Sequence, residues 1–183
     1  SLDRPNGLYE ATSADPSKQL IGWTYDTPAK GYPSTVTRYV GGTSGAAFTS
    51  RTTGYTDLYD PTGTQMTISG GTQTALVAGL PTTYSRTFVY NVDQSLRINY
   101  LPKIALGANT PVLREEALTY GYDALGSVKS MTGITGVVQD TTYNALGQPT
   151  QYTLGAGPSS QWWITNSYDP GTSRLTRQLA ATS

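Results

Sequence analysis

"LTYGYDALGSVKSMTG" occupies residues 118–133, and "DTTYNALGQPTQYTLG" follows it at 140–155. Both place an aromatic residue, then Asp or Asn, two small or apolar residues and a Gly at the same offsets. An Asp or Asn at the first position of a type I turn accepts hydrogen bonds from backbone N–H groups just ahead of it. A Gly at the fourth position supplies the φ > 0 residue that turns the chain back. Period-two alternation then puts Tyr120 and Tyr122 on one face of the incoming strand, with Val128, Ser130 and Thr132 alternating likewise on the return. The phrase spells a β-hairpin, and its repetition spells an array of them.

Six aromatic–Asp/Asn anchors run along the chain: Tyr25-Asp26, Tyr59-Asp60, Tyr90-Asn91, Tyr122-Asp123, Tyr143-Asn144 and Tyr168-Asp169. Their steps of 34, 31, 32, 21 and 25 residues suit strand pairs joined by loops of differing length rather than a strict solenoid. Gly126 and Gly147 close the two clearest turns, and "YDPTG" at 59–63 predicts a third, with Pro61 preset at its second position and Gly63 closing it. "STVTRYVGG", "TQMTISGG" and "QPTQYTLGAG" read as strands ending in Gly-rich turns, and "RTFVYNVDQSLRINYL" as two strands about an Asn-Val-Asp-Gln turn. The strongest helical pattern, "PVLREEALTYGY" at 111–122, lacks a cap signal. The expectation is one continuous all-β array over 1–183. It starts mid-repeat, as a piece of a longer chain would.

Composition agrees. Leu, Ile, Val and Phe supply only 33 of 183 residues, against 14 Tyr, 3 Trp and 30 Thr. Tyr and Thr favour pleated, half-buried surfaces. Twelve basic residues balance twelve acidic ones, so no net charge holds the chain open. The basic residues are scattered, which argues against nucleic acid as a partner. No apolar run approaches the roughly 20 residues of a spanning helix. The absence of Cys removes thiol chemistry, and the absence of His removes the commonest general base and zinc ligand. No cofactor is expected.

Several residues invite a sharper reading. Trp162-Trp163 offers flat rings for stacking on sugars, yet neighbours on a strand face opposite sides, so one core and one rim indole is the simpler expectation. Glu115-Glu116 diverges instead of facing across a bond, as a glycosidase pair must, and reads as solvated. Asp26, Asp60, Asp123 and Asp169 lie in no loop with alternating oxygen ligands, and Asn91 and Asn144 do the same turn-making without charge. "GGTSGAA" and "SGGTQT" lack the Lys and following helix of a phosphate loop. No residue stands out for catalysis, and an enzyme is not expected.

The Tyr-Asp, Gly, alternating Thr/Val phrase resembles the YD repeat of RHS-repeat proteins, a family that includes bacterial polymorphic toxins, shell subunits of insecticidal toxin complexes and teneurins. "TYGYDALGSVKSMTG", "TTYNALGQPTQYTLG" and "SYDPGTSRLTR" carry it most clearly, and "GWTYDTPAKGYPSTVTRYVGG" more loosely. The resemblance implies a secreted or cell-surface bacterial protein. Its spiralling β-hairpins enclose a C-terminal toxin, so the implied partners are the remainder of the shell and that toxin. The Asp-rich self-cleaving segment that ends many such shells is matched here only by the Asp-Pro starts at 60 and 169, each in an ordinary turn position. The alternative is an adhesin that holds cell-surface glycan through exposed Trp162, Trp163 and Tyr rings. Open sheet edges predict self-association of the isolated chain. Both strand faces carry Thr and Tyr, so sequence does not separate them.

Overall fold

The computed structural model describes residues 3–70, 81–106, 110–155, 157 and 160–182. Fifteen β-strands and one short 3₁₀ turn (Pro16–Lys18) account for its regular structure. The strands are β1 (Gly7–Tyr9), β2 (Gln19–Tyr25), β3 (Pro33–Val40), β4 (Ala46–Tyr55), β5 (Pro61–Ser69), β6 (Thr83–Tyr90), β7 (Leu96–Leu101), β8 (Ile104–Leu106), β9 (Thr110–Leu113), β10 (Glu116–Tyr122), β11 (Val128–Thr132), β12 (Gly136–Tyr143), β13 (Pro149–Leu154), β14 (Trp162–Tyr168) and β15 (Leu175–Thr182). Thirteen of them pair in chain order, β1 through β7 and then β10 through β15, while β8 and β9 form a hairpin of their own. This is the expected all-β array of antiparallel hairpins. Residues 111–122, with the strongest helical pattern, are β9, a short link and β10: strand pairing with β11 outweighs a local preference that no cap supports. No helix among the described residues is long and apolar enough to cross a membrane.

The chain forms two compact units, one of Ser1–Phe88 with Tyr100–Glu115 and the other of Val89–Asn99 with Glu116–Ser183. In the first unit, strand register sorts the two faces. Ile21, Arg38, Phe48 and Ile68 lie directly opposite one another across β2 to β5, and Trp23, Val36, Ser50, Met66 and Tyr84 form the next such row out to β6. On the other face Thr37, Thr49, Thr67 and Thr83 make one row, and Thr24, Thr35, Arg51, Gln65 and Ser85 another. Hydroxyl pairs bridge these rows, Thr24 to Thr35 at 2.7 Å and Thr37 to Thr49 at 3.0 Å. One face therefore carries most of the apolar side chains, with Arg38 and Ser50 among them, and the other is rich in hydroxyls beside Arg51 and Gln65, an arrangement of Thr pairs that cross-strand pairing favours.

The second unit repeats the division. Tyr120, Met131, Val138, Leu154 and Trp162 stand opposite one another from β10 to β14, with Tyr152 and Ile164 on the same face. Thr119, Thr132, Thr142, Thr153 and Thr165 occupy the opposite face. Burial is shallow throughout. Among the described residues only Ala46 and Ile68 are buried apolar side chains, and no large side chain is fully enclosed. Two hydrogen-bonded dimensions carry this fold more than a packed interior does.

Candidate functional site

The recurring structural feature is the hairpin turn with the tyrosine that precedes it. At Asp123 the backbone N–H donates to the Ser127 carbonyl at 2.9 Å, and the Gly126 N–H donates to the Asp123 carbonyl at 3.1 Å. This is a type I turn closed by a left-handed residue, since Gly126 has φ 82°. The Asp123 carboxylate accepts from the Leu125 and Ser127 N–H groups, both at 2.9 Å. Asn144 repeats every contact: its side-chain oxygen accepts from Leu146 and Gln148 at 3.0 Å, and Gly147 closes the turn with φ 75°. Asn91 heads the same backbone pattern to Ser95, but Gln94 fills the glycine position with φ 67°.

Two anchors use longer turns. Asp169 donates its N–H to the Arg174 carbonyl and accepts on its carboxylate from the N–H groups of Gly171 and Thr172. Asp26 closes a loop to Tyr32, with its carboxylate bound to the Gly31 N–H at 2.7 Å and to the Arg4 guanidinium. Arg4 also lies over the Tyr25 ring, 4.6 Å from its centroid. Hydrogen bonding holds these carboxyls below the usual range: Arg4 first for Asp26, and Thr172 first for Asp169. Asp93, tied to Ser95, is lowered likewise.

The anchor at Tyr59-Asp60 is misframed in the sequence reading. Thr56, not Asp60, heads the turn: its N–H donates to the Asp60 carbonyl at 2.8 Å, and its hydroxyl accepts from the Leu58 and Asp60 N–H groups. Tyr59 sits in the left-handed closing position with φ 67°, where other units carry Gly. Pro61 begins β5 opposite Tyr55, and Gly63 lies within that strand opposite Gly54. The anchor of this unit is Tyr55-Thr56. A hydroxyl does the work of the Asp, and the Tyr-Asp pair four residues on only resembles the phrase. Asp60 keeps one carboxylate oxygen buried without a partner.

The role of the anchor tyrosine was missed in the sequence. Tyr25 donates its hydroxyl to the Pro5 carbonyl at 2.9 Å, Tyr55 to Pro33 at 3.3 Å and Tyr122 to Leu96 at 2.7 Å. Tyr143 donates to Val128 at 2.6 Å and Tyr168 to Pro149 at 2.9 Å. Pro33, Leu96, Val128 and Pro149 are each the first residue of a return strand, so every such phenol clasps its hairpin to the one before it. A one-residue bulge precedes each of these tyrosines, between Thr24 and Tyr25, Gly54 and Tyr55, Gly121 and Tyr122, Thr142 and Tyr143, and Ser167 and Tyr168. Such bulges re-aim a side chain relative to the ladder. Opposite the tyrosine stands Pro33, Pro61 or Pro149 in three units, a first-in-strand position where a missing N–H costs nothing. Burial, the first cause in both, raises the phenols of Tyr122 and Tyr143 above their ordinary value. The detectable signal was the spacing of six from Tyr to the first return residue, as in Tyr55–Pro61, Tyr122–Val128 and Tyr143–Pro149. The sixth anchor tyrosine, Tyr90, ends β6 directly before the Asn91 turn.

The remaining candidates stand apart. Trp162 is 52% exposed, whereas Trp163 is half-buried and points from the opposite face, opposite Thr153. Glu116 caps the β11–β12 turn by accepting from the Ile134 N–H at 3.0 Å, and Glu115 is exposed beside it. Tyr32 stacks on Tyr59 at 4.9 Å and tilts against Tyr55 at 5.2 Å, the one aromatic cluster among the described residues. No group of three or more metal-ligating side chains lies among the described residues.

No family model matches the chain, and no curated protein matches it in sequence. Its fold is similar to crystal structures of TcdB2-TccC3 and TcdB2-TccC3-Cdc42, each with a TM-score of 0.52 and 15% identity over 95% of this chain. The structure of TcdB2-TccC3-TEV is similar over 96% of the chain, with a TM-score of 0.51 and 15% identity. The chain spans only 9% of the length of each of those chains. Nearly its whole length thus has the fold of a small part of the TcdB2-TccC3 chains.

Proposed function

We propose that these residues form part of the wall of a secreted or cell-surface bacterial RHS-repeat shell, whose partners are the rest of that shell and an enclosed C-terminal toxin. The observation that carries this reading is the clasp. Five hairpins are bonded to the preceding part of the sheet both by a ladder and by a phenol, so the repeat builds a continuous wall. The likeness of fold to part of TcdB2-TccC3 supports the same role. Containment needs structure and not catalysis, and the anchor carboxylates of Asp26, Asp123 and Asp169 are all taken up by turn N–H groups. The test is the intact mass of the full-length natural protein. Two fragments that co-purify under native conditions and separate on denaturation are expected. A single chain with no separable cargo counts against encapsulation.

One observation favours a second reading, an adhesin. The stacked Tyr32 and Tyr59 rings and Trp162 are all exposed. Binding on a glycan array that Tyr59→Ala or Trp162→Ala abolishes would move the function to carbohydrate recognition.

A further inference from the structure

The turn that closes on Tyr59 carries a cost that its own hairpin explains only in part. Tyr59 holds φ 67° where the matching positions of other turns carry Gly126 and Gly147, yet the residue is 51% exposed. A bulky side chain in the left-handed region is strained, and such strain concentrates at functional sites and ligand clamps. Tyr32, from the loop that Asp26 heads, stacks on Tyr59 with ring centroids 4.9 Å apart and planes 6° apart. The same Tyr32 ring lies 5.2 Å from that of Tyr55 at 54°, so the rings of Tyr55 and Tyr59 are steeply inclined to each other. Tyr55, Tyr59, Pro28, Thr56 and Asp57 line a surface cavity of about 410 Å³.

We infer that this cavity binds a quaternary ammonium group of the choline type, with Tyr55 and Tyr59 as its aromatic walls and Asp57 as its counter-charge. Aromatic rings attract cations through their quadrupole, and inclined rings can meet one cation from two sides. Asp57 is exposed and makes no ion pair among the described residues, and no Lys or Arg lines the cavity. Its charge is therefore free to select a cation. The absence of N–H groups on the ligand follows from the lining. A primary ammonium brings three donors, but the Thr56 hydroxyl already accepts from the Leu58 and Asp60 N–H groups. A quaternary ammonium brings no donor and needs only rings and a counter-charge. A neutral sugar would leave the Asp57 charge unanswered. Tyr32 acts as a positioning residue, since it touches both ring walls and does not itself line the cavity.

This inference goes beyond the shell reading and needs no enclosed toxin, so the mass experiment above is blind to it. The test titrates choline into the chain and follows its N-methyl proton resonance, which ring currents move upfield. Saturable binding is expected. The uncharged isostere 3,3-dimethylbutan-1-ol keeps the shape and should bind about fivefold to thirtyfold more weakly, as loss of the cation–π attraction predicts. Tyr59→Gly restores the residue that other turns carry, so the turn stays formed while the ring is lost, and binding should fall by a similar factor. Asp57→Asn keeps the shape of the side chain and should weaken binding about twofold to fivefold, as an exposed charge pair predicts. Trp162→Ala, in the other unit, should leave it unchanged. Absence of saturable binding, equal affinity for choline and its isostere, or full affinity in Tyr59→Gly each overturns the proposal. A neutral saccharide that binds through Tyr59 where choline does not overturns it in favour of the second reading above.

Discussion

At the level of single residues, the left-handed closing position of each turn shows what the repeat tolerates. Gly126 and Gly147 occupy it without a side chain to clash, whereas Gln94 and Tyr59 hold the same backbone angle against steric cost. Gln94 is exposed and gains nothing visible from its side chain, so Gln94→Gly is expected to stabilise the fold by about 0.5–1 kcal/mol. Gly126→Ala is expected to cost a similar amount. Urea midpoints of the two variants check this, and a lower midpoint for Gln94→Gly would refute the assignment of strain. Tyr59 is different, because its ring stacks on Tyr32 at 4.9 Å and so offsets part of the strain. The clasp is also a residue-scale device. Tyr143→Phe keeps the ring but strands the Val128 carbonyl, and a loss of about 1 kcal/mol is expected in thermal or chemical unfolding. The phenols of Tyr122 and Tyr143 are raised in the fold, so protonated tyrosine favours the folded state. Their contribution is complete below the unfolded value near 10 and fades as pH climbs through the higher folded value. Melting temperature should therefore fall above about pH 10, and less steeply in Tyr143→Phe. An identical alkaline slope in that variant would remove the phenol from the account.

Hairpins are the elements here, and the misframed one tests how their turns are specified. Thr56 supplies the acceptor at the head of its turn, while Asp60 at the tail keeps a buried oxygen unpaired. Thr56→Ala should thus cost about 1 kcal/mol, and Asp60→Ser should be neutral or stabilising. The reverse order, measured by equilibrium unfolding, would restore the sequence reading of "YDPTG" as the turn. The acid limb follows from the carboxyls of Asp26, Asp93 and Asp169, each lowered by hydrogen bonds in the fold. Their stabilisation is present above the unfolded value near 4 and is lost as pH falls through the lower folded values. Most of the element map was legible because turn chemistry is local. "YDALG" and "YNALG" carry their acceptor, their glycine and their flanking alternation within a dozen residues. The frame at 55–61 was not legible by the same rule, since Thr56 and Tyr59 perform the parts of Asp and Gly with residues that seldom signal them. The clasp was invisible for a different reason. The acceptor is a backbone carbonyl 15 to 26 residues back, and only pairing geometry brings it to the phenol.

For the whole molecule the decisive quantity is how little is buried. Each unit has one mainly apolar face and one hydroxyl-rich face, a division hidden in the sequence because Thr and Tyr recur along the chain and register alone assigns them to a face. On the first unit's apolar face Val36 and Met66 remain 37% and 44% exposed, beside Trp23 and Tyr84 in the same row. Ordered apolar rows left open to water mark a surface that another layer covers. Association of the isolated chain has two possible sources, this face and the free sheet edges, and they respond to different substitutions. Met66→Lys puts a charge into the apolar row while leaving the ladder intact, since the side chain already reaches solvent. Thr83→Lys puts the same charge on the hydroxyl face of the same unit. If the face drives association, sedimentation velocity should show dimers and larger species with the natural sequence and with Thr83→Lys, and mainly monomer with Met66→Lys. If the edges drive it, both variants should associate like the parent. A natural chain that stays monomeric at high concentration would exclude both, and would mean that hydroxyl rows and clasped turns suffice to keep an open sheet soluble.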